Sequence, residues 1–401
     1  MQSGRLNSVT DAKGNQTTYK YNANNGLLTS VTSGNETVNY TYGNNYTKLT
    51  DITHSGFKYS FSYDSFGNTT ATKVAGTTLM TNTYQSNNGS LTKSTYGNGD
   101  YTEYTYNSYG QTTKVKKNGT TKYIWKYNSL GMPYYLQDNE SGRTSLYQYD
   151  SLGRLITSYM DTKDTADNRF VNCYKYDTSN NVTKVTNIAD GHKVGTIYAY
   201  DKANRPSETT MNSSVSYEYT YESLGRLSRK TMKNSSGTDV VVKYTYWLSN
   251  RNDGDDETYR TTQLGWEDIN GRTYRYDYDK VGNITSIQEK INGVYKYHAD
   301  YTYDALGQIT RENNVDLNQT IVYAYDSGGN ITSKTFYPYT QGTLGTVTKT
   351  INYTYDSQWK DKLTGYDGQS ITYDAIGNPL TYRNNMSFTW QGRQMKTANL
   401  N

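Results

Sequence analysis

One cysteine, four prolines, three histidines and six phenylalanines are all that 401 residues contain of these types. The lone Cys173 excludes an intramolecular disulfide framework. His54, His192 and His298 share no spacing, and no zinc pattern, phosphate-binding glycine loop or nucleophile elbow occurs. An enzyme is therefore not expected, and neither is a cofactor or a bound metal. No apolar run approaches the roughly 18 residues of a membrane-spanning helix, and the opening "MQSGRLNSVTDAKGNQ" shows no signal peptide. The net charge is only +4, from 41 basic and 37 acidic residues, with no basic tract. That argues against nucleic acid as a partner. Leu, Ile, Val and Phe together reach only about 15%, a level that signals disorder when it accompanies high net charge. Here the charge is low, and the aromatic residues are placed too regularly for a disordered chain.

What the chain has is tyrosine, 46 of them, with 34 glycines and abundant Thr, Asn and Ser. This is the vocabulary of strands and turns. Tyr21, Tyr42, Tyr63, Tyr84, Tyr106, Tyr127 and Tyr149 follow one another at 21 or 22 residues. Tyr176, Tyr200, Tyr221, Tyr246, Tyr278, Tyr303, Tyr325, Tyr355 and Tyr373 continue the series at wider steps of 18 to 32. A period of this length marks a repeat architecture. Loops absorb the later insertions cheaply, because closure entropy grows slowly with length.

Each unit reads as a hairpin. Before the turn, aromatics alternate with polar residues, as in Tyr59, Phe61, Tyr63 and Tyr274, Tyr276, Tyr278, which places the rings on one face of a strand. The turn is Asp-x-x-Gly: Asp64 to Gly67, Asp150 to Gly153, Asp279 to Gly282, Asp304 to Gly307 and Asp374 to Gly377. The Asp accepts backbone N–H groups ahead of it, and the Gly takes the left-handed conformation of a G1 bulge. Asn22, Asn107 and Asn128 keep the capping oxygen in the Asp position, while Asn180 and Asn204 stand in for Gly. A return strand follows, with Leu155, Leu227, Ile284, Ile309 or Ile331 two residues beyond the Gly position. About sixteen such units, none stable alone, predict an all-β fold of tandem β-hairpins in one long antiparallel sheet. Its right-handed twist would wind the sheet into a hollow shell or an open arc of one. Propeller blades made of paired units, or separate sandwiches, are the other all-β arrangements.

The recurring Tyr-Asp-x-x-Gly-Asn/Arg-Leu/Ile-Thr, as in "YDSLGRL" at 149–155 and "YDKVGNIT" at 278–285, resembles the YD repeat. That repeat belongs to bacterial Rhs and wall-associated proteins, to the C component of insecticidal toxin complexes and to teneurins. The resemblance covers essentially the whole chain and implies one continuous repeat region over residues 1–401, with a degenerate insertion near 247–275. It implies a β-shell of a secreted or cell-surface bacterial protein that encapsulates its own C-terminal toxin or other passenger polypeptide. "MSFTWQGRQM", Met386 to Met395, resembles the lead-in to the Rhs core, so 386–401 is expected to precede a self-cleaving core and a toxin. The chain opens at Gly4-Arg5-Leu6 in what reads as the second half of a repeat, so both ends are expected to be cut from a longer protein.

The tyrosines in the repeat positions Tyr63, Tyr149, Tyr278, Tyr303 and Tyr373 are expected to pack as a cross-strand ladder. The other reading is a carbohydrate- or cell-wall-binding module. Trp125, Trp247, Trp266, Trp359 and Trp390 depart from the repeat pattern and are the candidates for ligand contact. The acidic run Asp253 to Glu257 offers oxygen ligands for calcium but lacks the twelve-residue loop pattern, so a solvated loop is expected. Unpaired backbone at the two sheet edges predicts edge-to-edge self-association.

Overall fold

A computed structural model of the chain describes residues 4–43, 48–161, 170–189, 191–212, 215–234, 237–249 and 259–400. The acidic run at 253–257 lies outside them. Among the described residues there are thirty-five strands and no helix, from Ser8–Thr10 to Gln394–Asn399. Thirty-two of the strands belong to one sheet. Thr381–Tyr382, Met386–Gln391 and Gln394–Asn399 form a second sheet of three. Strands pair antiparallel with their sequence neighbours, as Phe57–Tyr63 does with Leu49–His54 before it and Thr69–Val74 after it.

Two kinds of turn alternate along the chain. The first is the Asp-x-x-Gly turn, in which Gly67 N–H bonds Asp64 O at 3.0 Å and Asp64 N–H bonds Asn68 O at 3.0 Å. Gly67 sits at φ 85° and Gly282 at 98°, with Asn180 at 67° and Asn204 at 64° in the same slot. The second turn has two residues, both left-handed: Ser55-Gly56, Ala75-Gly76, Asn118-Gly119 and Asn292-Gly293. This is the type I′ geometry whose twist matches that of paired strands.

Many of the Asp-x-x-Gly hairpins also carry an irregularity beyond the glycine. Tyr63 faces Thr69 while Ser62 faces Ala71, which leaves Thr70 as an extra residue. The same shift follows Tyr21, Tyr84, Tyr149 and Tyr325. The extra residue is commonly the Thr of the repeat, and its hydroxyl bonds back across the hairpin. Thr29 donates to Lys20 O at 3.2 Å, and Thr92 to Thr83 O at 3.0 Å. A β-bulge bends the strand and increases its local twist, so the bend recurs with the repeat.

The fold divides into two compact units. Unit 1 comprises Met1–Glu103, Tyr278–Ile287 and Tyr297–Asn401; unit 2 comprises Tyr104–Asp277 and Gln288–Lys296. Unit 1 holds the apolar core, in which Phe57, Val74, Leu79 and Ile376 are buried against one another beside Tyr59, Tyr96 and Trp359. Within unit 1, residues far apart in sequence meet. Trp359 Nε1 donates to Tyr59 Oη at 3.3 Å, Asn98 Nδ2 to Asp374 Oδ2 at 3.0 Å, and the Gly392 N–H to Asp100 Oδ2 at 2.6 Å. Among the described residues of unit 2, Val115 is the one buried apolar side chain.

Candidate functional site at the joints between repeats

The repeat residues converge at one place, the joint where a hairpin turn meets the next hairpin. The turn carboxylate is clamped first. Asp64 Oδ1 accepts the N–H groups of Phe66 and Asn68, each at 2.9 Å, and Oδ2 takes the Asn68 side-chain amide at 2.9 Å. Asp279, Asp304 and Asp374 repeat the pattern with Asn283, Gln308 and Asn378. At Asp150 the partner is a guanidinium, with Arg154 Nε 2.7 Å from Oδ2. Hydrogen bonds that favour the charged carboxylate lower its pKa. Asp64, Asp150 and Asp177 accordingly lie below the ordinary value, and Glu222, bonded to Arg226, is pulled down to about 2.

The tyrosine hydroxyl then ties each repeat to the one before it. Tyr84 Oη donates to Thr69 O at 2.8 Å, Tyr149 to Pro133 O at 2.7 Å, and Tyr176 to Leu155 O at 2.7 Å. In each case the acceptor is the residue that faces the preceding repeat tyrosine across its hairpin: Tyr63 faces Thr69, Tyr127 faces Pro133, and Tyr149 faces Leu155. The backbone ladder between the two hairpins has ended by then; between Thr69–Val74 and Thr77–Tyr84 the last pair is Ala71 with Thr81. The phenol takes over where the ladder stops. The bond recurs along the chain, with Tyr21, Tyr63, Tyr303 and Tyr373 among the tyrosines that make it. Burial pushes the phenol pKa up at Tyr127, Tyr149, Tyr278, Tyr303, Tyr325 and Tyr373. A phenylalanine would fill the same space and remove that donor.

In unit 2 a cation closes several joints. Arg154 lies over Tyr176 at 4.6 Å, Arg205 over Tyr221 at 4.2 Å, and Arg226 over Tyr246 at 4.2 Å. Arg154 also donates to Asp177 O at 3.2 Å, and Arg226 to Thr261 O. One guanidinium thus binds its own turn carboxylate, the next repeat's ring and backbone further on.

The tryptophans do not gather into one patch. Trp125 stacks beside Tyr123 at 5.6 Å. Trp247 and Trp266 pack together at 4.4 Å, with their indole N–H groups donating to Tyr276 O at 2.7 Å and Tyr295 Oη at 3.1 Å. Trp359 belongs to the unit 1 core, and Trp390 donates to Pro379 O at 2.7 Å. All five are half-buried. His54 pairs with Asp361 at 3.7 Å and His298 with Asp316 at 2.7 Å. Among the described residues no three His, Cys, Asp or Glu side chains converge as a metal-holding group. Among the described residues no helix is long and apolar enough to cross a membrane.

The family described as the RHS repeat matches residues 2–38. A curated relative, the tRNA3(Ser)-specific nuclease WapA of Bacillus spizizenii, is 30% identical over 162 residues. The match takes in 40% of this chain and 6% of WapA. Among solved structures, the TcdB2-TccC3-TEV crystal structure superposes with a TM-score of 0.74 at 17% identity, covering 100% of this chain and 24% of that one. A TccC3 variant of the Photorhabdus luminescens Tc holotoxin pore gives 0.73 at 17% identity, with the same coverage. The chain therefore spans about a quarter of the solved chains that share its fold and a small part of its curated relative.

Proposed function

Because this chain is built from Rhs/YD repeats, we propose that residues 1–401 form a single run of shell wall that encloses a passenger polypeptide, most naturally a toxin, of a large secreted or cell-surface bacterial protein. The observation that carries the reading is the construction of unit 2. Its sheet holds together through turn clamps, tyrosine hydroxyls and arginine stacks, with Val115 as its one buried apolar residue among those described. A sheet that needs no second layer for its own cohesion has a face free for other contents. A Thr-, Asn- and Tyr-rich face would hold an unfolded chain without the grip of an aliphatic surface. The wall segment itself is non-enzymatic in this reading, and the nuclease activity in WapA's name is that protein's.

Recognition of wall glycan finds less support. Four of the five candidate tryptophans spend their indole N–H groups on internal bonds. Small-angle scattering on the 401-residue chain tests the proposal. A pair-distance distribution skewed to long distances, as a hollow wall gives, supports it; the profile of a compact solid ellipsoid refutes it.

A further inference from the structure

The step from Tyr325 to Tyr355 is 30 residues, against 21 or 22 in the early repeats. The extra residues lie between the strands Ile331–Pro338 and Lys349–Tyr355 of unit 1. There a strap, residues 339–348, stands in place of a two-residue turn, and its residues 340–342 fold back onto the sheet. Arg311 Nη2 donates to Thr340 O at 2.6 Å and to Gly342 O at 3.0 Å. The Thr340 N–H donates to Thr320 Oγ1 at 3.0 Å, and Gln341 Nε2 donates to Asp300 Oδ2 at 2.8 Å. Asn313 aims the guanidinium, its Oδ1 accepting Arg311 Nε at 2.7 Å. Asp300 faces Asn313 across the strands and Asn313 faces Thr320. Asp300, Arg311, Asn313 and Thr320 therefore share one face of the sheet, opposite to that of Tyr325.

What the strap covers is polar. Thr320 is 0% exposed and Asn313 3%. Thr320 stands five residues before its repeat tyrosine; in the strand Phe57–Tyr63 that position is Lys58, with a side chain 55% exposed. The position is thus open in a repeat that has no strap. Beyond its fastened residues the strap leaves Leu344 36% and Val347 48% exposed. The flanking strands already pair from Phe336 with Lys349. A segment held by a few hydrogen bonds at the surface belongs to the low-stability end of a fold and opens locally. The contacts that hold it define a ligand. They take one main-chain N–H, the carbonyls of residues i and i+2, and a donor side chain at i+1 opposite a carboxylate.

We propose that Asp300, Arg311, Asn313 and Thr320 form a recognition site for an extended polypeptide segment, which the strap fills as a removable occupant. The site selects a residue whose side chain donates to Asp300. Gln serves in the strap, and Lys binds more strongly because a cation then meets the carboxylate. Strap and incoming segment exclude each other, so affinity is reduced by the fraction of chains whose strap is out. In the function proposed above, on which the source of the ligand rests, the segment belongs to the passenger.

Fluorescence anisotropy with a labelled peptide Tyr-Thr-Gln-Gly-Thr-Leu, the sequence of residues 339–344, tests this on the full chain. Two variants release the strap. Gln341→Glu sets a second carboxylate against Asp300, and replacement of residues 338–347 by Asn-Gly restores the turn that other repeats use. Both should bind the peptide about tenfold or more tightly than the unaltered chain. A peptide with Lys in place of Gln should bind more tightly still. Arg311→Met added to either variant should abolish binding, and a retained cooperative melting transition identifies folded variants. Failure of both folded variants to bind overturns the proposal. So does equal binding by the unaltered chain, or binding indifferent to Arg311→Met. Anisotropy reads this site alone and scattering reads the wall, so the failure of one is distinguishable from the failure of the other.

Discussion

Units 1 and 2 are built from the same hairpin and stabilised differently. Unit 1 closes on itself: its late turns reach early strands, and of the nine buried apolar residues among those described, eight lie there, from Phe57 to Ile376. Its turn clamps Asn68, Asn283, Gln308, Asn330 and Asn378 are amides, and lysines pair with two of its turn carboxylates, Lys13 with Asp279 and Lys362 with Asp356. Unit 2 has Val115 and, at three of its joints, arginines stacked on the following tyrosine. Unit 1 adds hydrophobic burial between distant repeats to these clamps. Where that burial is lacking, cohesion comes from each repeat gripping the next, as expected for a fold whose stability is a sum of nearest-neighbour terms.

Alkali should separate the two units most strongly. A phenol whose folded pKa is raised contributes stability that is complete below its unfolded value of about 10 and is lost as pH rises through the folded value. Burial lifts Tyr353 to about 12, and the Glu140 carboxylate together with burial lifts Tyr123 to about 12. The chain should unfold between about pH 10 and 12. Unit 2, with Val115 as its one buried apolar residue among those described, should go first, which is readable from Trp125, Trp247 and Trp266 fluorescence ahead of that of Trp359. Simultaneous loss would erase the distinction.

Core truncation sharpens it from the other side. Ile376→Ala should cost unit 1 about 4 kcal/mol and Val115→Ala should cost unit 2 about 2 kcal/mol, measured as separate denaturant transitions. Equal costs would show that unit 2 depends on burial as much as unit 1. Next in size is the hydroxyl: Tyr200→Phe leaves Val182 O without its donor and should cost about 1 kcal/mol. The smallest effect is expected for Arg205→Asn, which installs an amide clamp like that of Asn181 on Asp177. Loss of the stack on Tyr221 should cost about 0.5–1 kcal/mol, with reduced sensitivity to added salt. Acid gives a related check. The folded pKa of Glu222 is depressed to about 2, so its contribution is complete above about 4.5 and fades as pH falls towards 2. Glu222→Gln should flatten the stability profile in that window.

Much of this architecture was legible in residues. The tyrosine spacing yields the hairpins, Asp64 and Gly67 take their turn positions, and Asn180 and Asn204 adopt the left-handed conformation that their place in the pattern requires. The destination of the tyrosine hydroxyl was not legible, because its acceptor is a backbone carbonyl, which every residue has. The two-residue turns were signalled by Asn118-Gly119 and Asn292-Gly293, a strong hairpin cue that the more conspicuous Asp-x-x-Gly obscured. Burial at the turn tips could not be read at all. "DAIG" at 374–377 and "DSLG" at 150–153 are nearly the same text, yet Ile376 is buried and Leu152 exposed. The difference lies in a partner some 300 residues away.

Hydrogen exchange after removal of hydroxyls tests the central claim most directly, that unit 2 is held repeat to repeat and unit 1 by its core as well. Tyr176, Tyr200 and Tyr221 would be changed together to Phe in one variant, and Tyr303, Tyr325 and Tyr355 in another. Amide protection should collapse along the strands between Leu155 and Tyr221 in the first and fall only modestly between Ile284 and Tyr355 in the second. Equal losses in the two variants, or none in unit 2, would contradict the account.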